Sequence, residues 1–389
     1  MTGRERILAA FHGGKADIVP FCPNIYYWFY NRLVTGTLPE EIASARHPFD
    51  ALRVLGADIL ARWDTQGATR EVWSAGEYSD DFGGSRGQDQ PAVTAFNVYP
   101  PGRSIRRQRF ATPHGVLSQT WVYTAEAGAD FLCEYWWKDW SEYEAVRYML
   151  EARDYRFDRE EFRHWVARVG DDGVMMVHLT QSPLKTFHWL AGPENASLFS
   201  IDHPDEMKEL VRIQEAKALA LLETVVDLPE AEIFISLDNL DSAFFPPYFY
   251  RDYCESFFRR AADIVHSRGK IFVVHACGHN RLLLPHVGNS RVDCLEGLTP
   301  PPMGDVELCE ARTLAGWPNY TVNGGMDASR LDMATDAEAG IHAYTRDLFA
   351  SMGDKRRFIF ASSCSTPART PWSNLKHFRD AAREYGAVG

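Results

Sequence analysis

Beyond residue 140 the chain alternates between two patterns. Helical stretches fall at about 141–152, 158–169, 205–226, 248–267, 335–352 and 372–385, and short runs lie between them that are apolar throughout. These runs are Val174–Val177, Ile233–Leu237, Ile271–Val274, Tyr320–Val322 and Phe358–Phe360, with one more that ends on Glu296. Uniformly apolar strands set between helices read as a parallel sheet buried on both faces. Two further strand positions precede residue 66. Ile18–Pro23 leads into the aromatic run Asn24–Tyr30, read as a first strand and its exit loop, and Ile59–Trp63 follows a helical stretch that begins at Phe49. Eight strand positions predict an α/β chain folded as a (β/α)8 TIM barrel, whose sites form at the C-terminal strand ends.

Two segments depart from this rhythm. Thr2 to Glu5 forms a capping box for a short first helix with Ile7, Leu8 and Phe11 on its apolar face, ended by Gly13-Gly14. Residues 66–140 are rich in Gly, Asp, Ser and Pro, and Gly115–Tyr123 alternates like a solvated antiparallel strand after the turn Thr112–Gly115. This predicts a β-rich insertion in the N-terminal third, not a separate domain. No linker divides the chain, so 1–389 reads as one domain. The run Tyr135–Trp140 suits the cap of a pocket, and equally the packing of the insertion onto the barrel.

Composition narrows the function. A chain that is 45% hydrophobic and 24% charged is an ordinary globular protein, and its apolar runs are far shorter than the roughly 20 residues of a membrane span. The net charge of −12 without a basic tract excludes nucleic acid as the expected partner. An acidic surface is compatible with a homodimer and does not require one. With no secretory signal, the seven scattered cysteines read as reduced thiols of a cytoplasmic protein. Ligand or catalytic roles then outrank disulfides.

The candidate chemistry stands at the strand ends. His275 and Cys277 lie two apart after Ile271–Val274, so on a strand both side chains leave the same face. An imidazole and a thiol so placed are half of a zinc site. Glu296 and Cys364 each follow another apolar run and supply candidates for the other half. Four ligands drawn from three strand ends suit a catalytic zinc, because structural sites cluster their ligands in pairs along the chain. A buried polar pair would account for His275 and Cys277 alone. His178, Gln181, Asp238, Asn239 and Asn323 occupy comparable positions and are substrate-binding candidates by place only. Cys22, Cys133, Cys254, Cys294 and Cys309 lack partners at metal spacing and read as packing residues.

These residues resemble the uroporphyrinogen decarboxylase superfamily, in its zinc-dependent, corrinoid-linked methyltransferase branch. The likeness spans the chain: Arg4–Phe11 and Asp17–Pro20 at the start, Leu298–Asp305 and Asn323–Asp327 later, and Thr370–Asn374 near the end. The order His275-x-Cys277, Glu296, Cys364 is similar to the zinc ligands of coenzyme M methyltransferases and cobalamin-independent methionine synthase. The resemblance implies a methyltransferase in which zinc activates a thiol for methyl transfer, Glu296 being the exchangeable fourth ligand and the metal site itself the catalytic group. It also implies a corrinoid such as methylcobalamin. Asp263–Gly269 is the nearest string to a corrinoid-binding Asp-x-His-x-x-Gly and is one residue too long, so the corrinoid is expected free or on a partner protein. The decarboxylase proper is a poorer match. Pro23–Phe29 stands where that enzyme has an arginine-rich motif, and a polycarboxylated tetrapyrrole needs guanidinium forks. The expected function is methyl transfer between a small thiol, methoxy or otherwise methylated compound and a corrinoid. The alternatives are a metal-independent decarboxylase or lyase, and a non-catalytic protein that binds zinc or a small molecule.

Overall fold

A computed structural model describes every residue except 63, 84–102, 125–128, 334 and 389. The expected end of the second strand at Trp63 therefore lies outside the described residues, as does part of the insertion. Five parallel strands form one curled sheet in the order Ile59–Ala61, Gly173–His178, Ile233–Leu240, Ile271–Ala276, Cys294–Glu296. Val322–Met326 and Phe358–Ser362 pair in parallel as a second sheet. Single parallel bridges join Leu298 to Gly324 and Phe21 to Phe360. The segment at Phe21 is also tied to the start of strand 59–61, where the Asp58 amide donates to the Phe21 carbonyl at 2.8 Å.

Alternation along the strands divides their side chains between two layers. Val174 and Met176, Ile233, Ile235 and Leu237, Ile271 and Val273, Cys294, and Ile359 and Ala361 form an inner cluster with Ile7, Ala10 and Phe11 of the first helix. Met175, Val177, Phe234, Phe272, Val274, Leu295, Phe358 and Phe360 pack outward into the helix layer. The first helix, Gly3–His12, begins with the expected Thr2–Glu5 capping box and ends at Gly13 in the left-handed conformation. It lies against the inner cluster, so the inner face is filled from one end and the polar strand ends stand at the other.

Several expectations shift. The aromatic run is a helix, Tyr26–Thr35, and not a strand and its exit loop. Trp28 and Phe29 are fully buried, and Trp28 stacks on Trp372 at 5.4 Å and donates to the Thr370 carbonyl at 2.7 Å. Burial on several sides of that segment overrides the strand preference of its aromatic residues. The helix expected over 248–267 breaks at Cys254 into Pro247–Tyr253 and Glu255–His266. Helix Pro183–Asp202 had no counterpart in the sequence reading. Gly192-Pro193 interrupts its pattern, and the chain kinks there, with Gly192 at φ 81°. The β-rich insertion is confirmed as a four-stranded antiparallel sheet of Glu77–Gly83, Arg103–Thr112, Gly115–Thr124 and Ala129–Glu134. It reaches further than residue 140, because Thr69–Trp73 pairs antiparallel with Arg153–Phe157.

One glycine lets the strand ends converge. Gly297 has φ 94°, and a Cβ there would lie 2.7 Å from the Ser363 carbonyl oxygen and 2.8 Å from that of Ala276. Asn323 pins the same loop, its carbonyl accepting from the Leu298 amide at 2.9 Å and its side-chain oxygen from Gly297 at 3.3 Å. Gly297→Ala must both adopt a disfavoured φ and push apart the backbones beside Cys277 and Cys364. The expected cost is about 1–3 kcal/mol. Scanning calorimetry should register it as a lowered Tm, and an unchanged Tm would show that the loops do not meet there.

Candidate functional site

The register of two strands builds the first half of the site. His275 is the direct parallel partner of Glu296. Its Nδ1 lies 2.5 Å from Glu296 Oε2 and 2.9 Å from the Glu296 carbonyl oxygen. The second half is the pair Cys277 and Cys364, close enough for each thiol to shift the ionisation of the other. The four predicted ligands thus stand as two neighbouring pairs, His275 with Glu296 and Cys277 with Cys364. Among the described residues, no three of His, Cys, Asp and Glu converge in a metal-holding group.

Arg62 connects the halves. It follows strand 59–61 and is buried, with Nη1 hydrogen-bonded to Glu296 and 2.6 Å from His275 Nδ1. A ring nitrogen cannot serve both neighbours at once. A lone pair on Nδ1 accepts from Arg62, whereas a proton there donates to Glu296, and only the second tautomer leaves Nε2 with a free lone pair. Two acceptors from Glu296 against one donor from Arg62 favour that second tautomer. Burial, then the charges of Arg62 and Lys185, keep His275 neutral by pushing its pKa well below the usual imidazole range. Arg62 itself is lowered to about 10 by burial, partly offset by its attraction to the two cysteines.

The cysteines are not equivalent. Its neighbour Cys277 chiefly, with the Ser365 amide and the charge of Arg62, lowers Cys364 below the ordinary thiol range against the opposing effect of burial. The same neighbourhood raises Cys277 above its ordinary range. One proton shared between two sulfurs leaves one thiolate at neutral pH. Lys185 stands close enough to feel both Cys277 and Asp238, and burial lowers its pKa.

The other candidates divide. Asn239 lines a cavity of about 330 Å³ together with Cys277, Lys185, His188 and Trp189. It has φ 50°, at an irregularity in the pairing of strands 233–240 and 271–276 that bends this strand end. His178 and Gln181 line a second cavity, of about 410 Å³, beneath the antiparallel insertion. Asp238 is fully buried, accepting from the Ser182 amide at 2.9 Å and the Ser236 hydroxyl at 2.6 Å, so it holds the loop after strand 173–178. Asn323 is buried and holds the loop after Glu296 while lining a small space with Arg62 and Glu296. His279 is exposed and faces Asp241 at 3.6 Å. Cys22, Cys254 and Cys294 are buried, and Cys133 and Cys309 are exposed. The sequence reading missed Arg62, Lys185 and Trp189. Arg62 had a signal, a charge directly after the apolar run Ile59–Ala61 on the same parity as Leu60, which packs toward the inner cluster.

The thiol asymmetry is measurable in metal-free protein. Cys364 ionises below the ordinary thiol range, so its alkylation by iodoacetamide should reach half its plateau rate at a lower pH than that of a free cysteine. Cys277 should stay unreactive across neutral pH. Arg62→Leu removes a charge that favours the thiolate and should move the Cys364 midpoint upward. Peptide mass spectrometry across a pH series reads both sites, and equal midpoints for the two cysteines would contradict the shared proton.

Comparison with known proteins shows what the chain as a whole is similar to. A methyltransferase from Methanosarcina mazei has a similar fold, with a TM-score of 0.59 at 14% identity over 99% of each chain. A Streptomyces avermitilis protein assigned as an orotidine 5'-phosphate decarboxylase aligns over 54% of this chain and 87% of its own, at 12% identity and a TM-score of 0.23, too slight to carry an argument. No curated protein matches the sequence. The family model described as uroporphyrinogen decarboxylase (URO-D) matches residues 149–385, more than half of the chain, including His275, Cys277, Glu296 and Cys364. The chain belongs to the uroporphyrinogen decarboxylase family.

Proposed function

We propose that the protein is a zinc-dependent methyltransferase that moves a methyl group between a small methylated substrate and a corrinoid, free or carried by a partner protein. The observation that carries this reading is the proximity of Cys277 and Cys364, 87 positions apart, beside the His275–Glu296 pair. The methyltransferase of similar fold supports it. In the same reading the two parallel sheets and their bridges are one closed (β/α)8 barrel, and the converging strand ends are its mouth.

The donor set fits zinc in kind. An imidazole nitrogen and two sulfurs are the ligand types zinc prefers, and a carboxylate completes the set. His275, Cys277 and Cys364 would hold the ion, with Glu296 as the exchangeable fourth ligand. The charges also balance. Two thiolates and Glu296 bring three negative charges against Arg62 and a divalent cation, so the buried cluster closes near neutrality. Bound zinc supplies Lewis acidity toward a substrate sulfur or oxygen, and a corrinoid supplies the methyl-carrying centre. The chain's own residues prepare that chemistry. As the residues stand, Glu296 orients His275 through Nδ1, a partner it would have to exchange in order to reach the metal, and Arg62 holds Glu296 in place and keeps a thiolate ionised. Lys185 brings a positive charge to the cavity beside Cys277, where it can meet an anionic group of an incoming molecule.

A second reading has one observation behind it. A buried guanidinium at the strand ends suits a carboxylate, so Arg62 favours a metal-independent decarboxylase or lyase. Glu296 already occupies that guanidinium, which weakens this rival.

Elemental analysis separates the two. The methyltransferase reading expects about one zinc per chain in purified protein, lost in both Cys277→Ala and Cys364→Ala. Glu296→Gln should bind zinc about 10–100-fold more weakly while keeping the fold. A folded parent without zinc that still turns over a carboxylated substrate would overturn the reading in favour of the metal-free enzyme.

A further inference from the structure

The cavity of about 410 Å³ under the insertion has walls of a distinct kind. Trp73, Trp121, Trp136 and Trp189 line it, and Trp121 of the insertion meets Trp189 of helix 183–202 at 5.6 Å between ring centroids. Polar atoms without partners gather at the same place. Both ring nitrogens of His178, Oγ1 of Thr180 and Nε of Arg153 are buried and lack a hydrogen-bond partner among the described residues. A buried polar group left unpaired is costly, so three side chains left this way around one cavity point to a bound molecule that supplies the missing bonds.

The charges say what kind of molecule. Arg153 is the cavity's cation and is met by Glu71 at 3.3 Å and by the Gln214 side-chain oxygen at 2.5 Å. His178 is pushed down to about 4 by burial and by Arg62, so it is uncharged at neutral pH. A cavity balanced in charge does not select a free anion or cation. Indole walls favour a flat ring. A neutral imidazole, a hydroxyl and a guanidinium N–H together ask for ring oxygens that can accept and donate.

We propose that this cavity binds an uncharged aromatic compound carrying hydroxyl or ether oxygens, and that it is the substrate compartment of the enzyme. It adjoins the cavity beside Cys277. Trp189 lines both this cavity and the one that contains Cys277. His178 and His275 also stand on inner faces of strands separated by a single strand. The inference names a substrate class for the methyl-transfer reading and rests on it for the reaction, but not for binding.

Calorimetric titration with 2-methoxyphenol tests it, with benzoate and tetramethylammonium as the anionic and cationic comparisons. The expected result is saturable binding of 2-methoxyphenol at one site per chain, tighter than either ion. His178→Phe and Trp121→Ala should each weaken it about tenfold or more, and His178→Gln, which restores a donor and an acceptor, should bind more tightly than His178→Phe. Circular dichroism confirms that the variants are folded. Absence of saturable binding, tighter binding of either ion, or an affinity unchanged in folded His178→Phe would overturn the proposal. The same titration on Cys277→Ala separates it from the metal reading. Binding retained there supports the cavity whatever the zinc content, whereas a parent that holds zinc but binds no 2-methoxyphenol overturns this inference alone.

Discussion

The period of two along a β-strand governs where this protein's chemistry can stand. In each parallel strand one set of side chains meets the first helix inside the curled sheet, and the other set meets the helix layer outside. A polar residue at a strand end inherits one of those directions. His275 and Cys277 continue the inner set of Ile271 and Val273, Glu296 continues Cys294, and His178 continues Met176. Pairing register then adds the second coordinate, setting His275 opposite Glu296. The site is a consequence of strand parity and register, with Gly297 giving the loops room to meet.

That placement creates an electrostatic problem. Arg62, His275, Glu296 and two cysteines share a largely buried space, where an unpaired charge costs several kcal/mol. The structure answers by pairing. Arg62 bonds to Glu296, His275 stays neutral against the same carboxylate, and the two thiols share a proton. Each pairing leaves one group poised for something else: a lone pair on His275 Nε2, a thiolate at Cys364, and a carboxylate whose release needs only exchange of partners. The arrangement suits a ligand set more than a structural core, because a core would be cheaper to fill with apolar residues.

Much of this was legible in the sequence, and the failures are instructive. Strands with uninterrupted apolar runs were readable because burial on both faces erases the alternation that solvent would impose. The spacing of His275 and Cys277 carried its own meaning through strand parity. The same parity rule places Asp238 outward, since Leu237 points in, and its role in holding Ser182 and Ser236 follows. Position at a strand end alone hid that distinction. Arg62 was visible as a charge after an apolar run, but its link to His275 and Glu296 depends on pairing between segments more than 200 residues apart. Helix 26–35 and the kinked helix 183–202 were obscured for opposite reasons, the one by aromatic residues that favour strands and the other by Gly192-Pro193. The cavity under the insertion could not be read at all. Its walls come from Trp73, Trp121, Trp136 and Trp189, which no local pattern unites.

X-ray absorption at the zinc edge of the purified protein tests the central claim, that two distant cysteines and His275 form one metal centre. The account expects a first shell of two sulfurs at about 2.3 Å with nitrogen or oxygen near 2.0–2.1 Å. A folded protein with no zinc edge, or a shell of nitrogen and oxygen without sulfur, would contradict it.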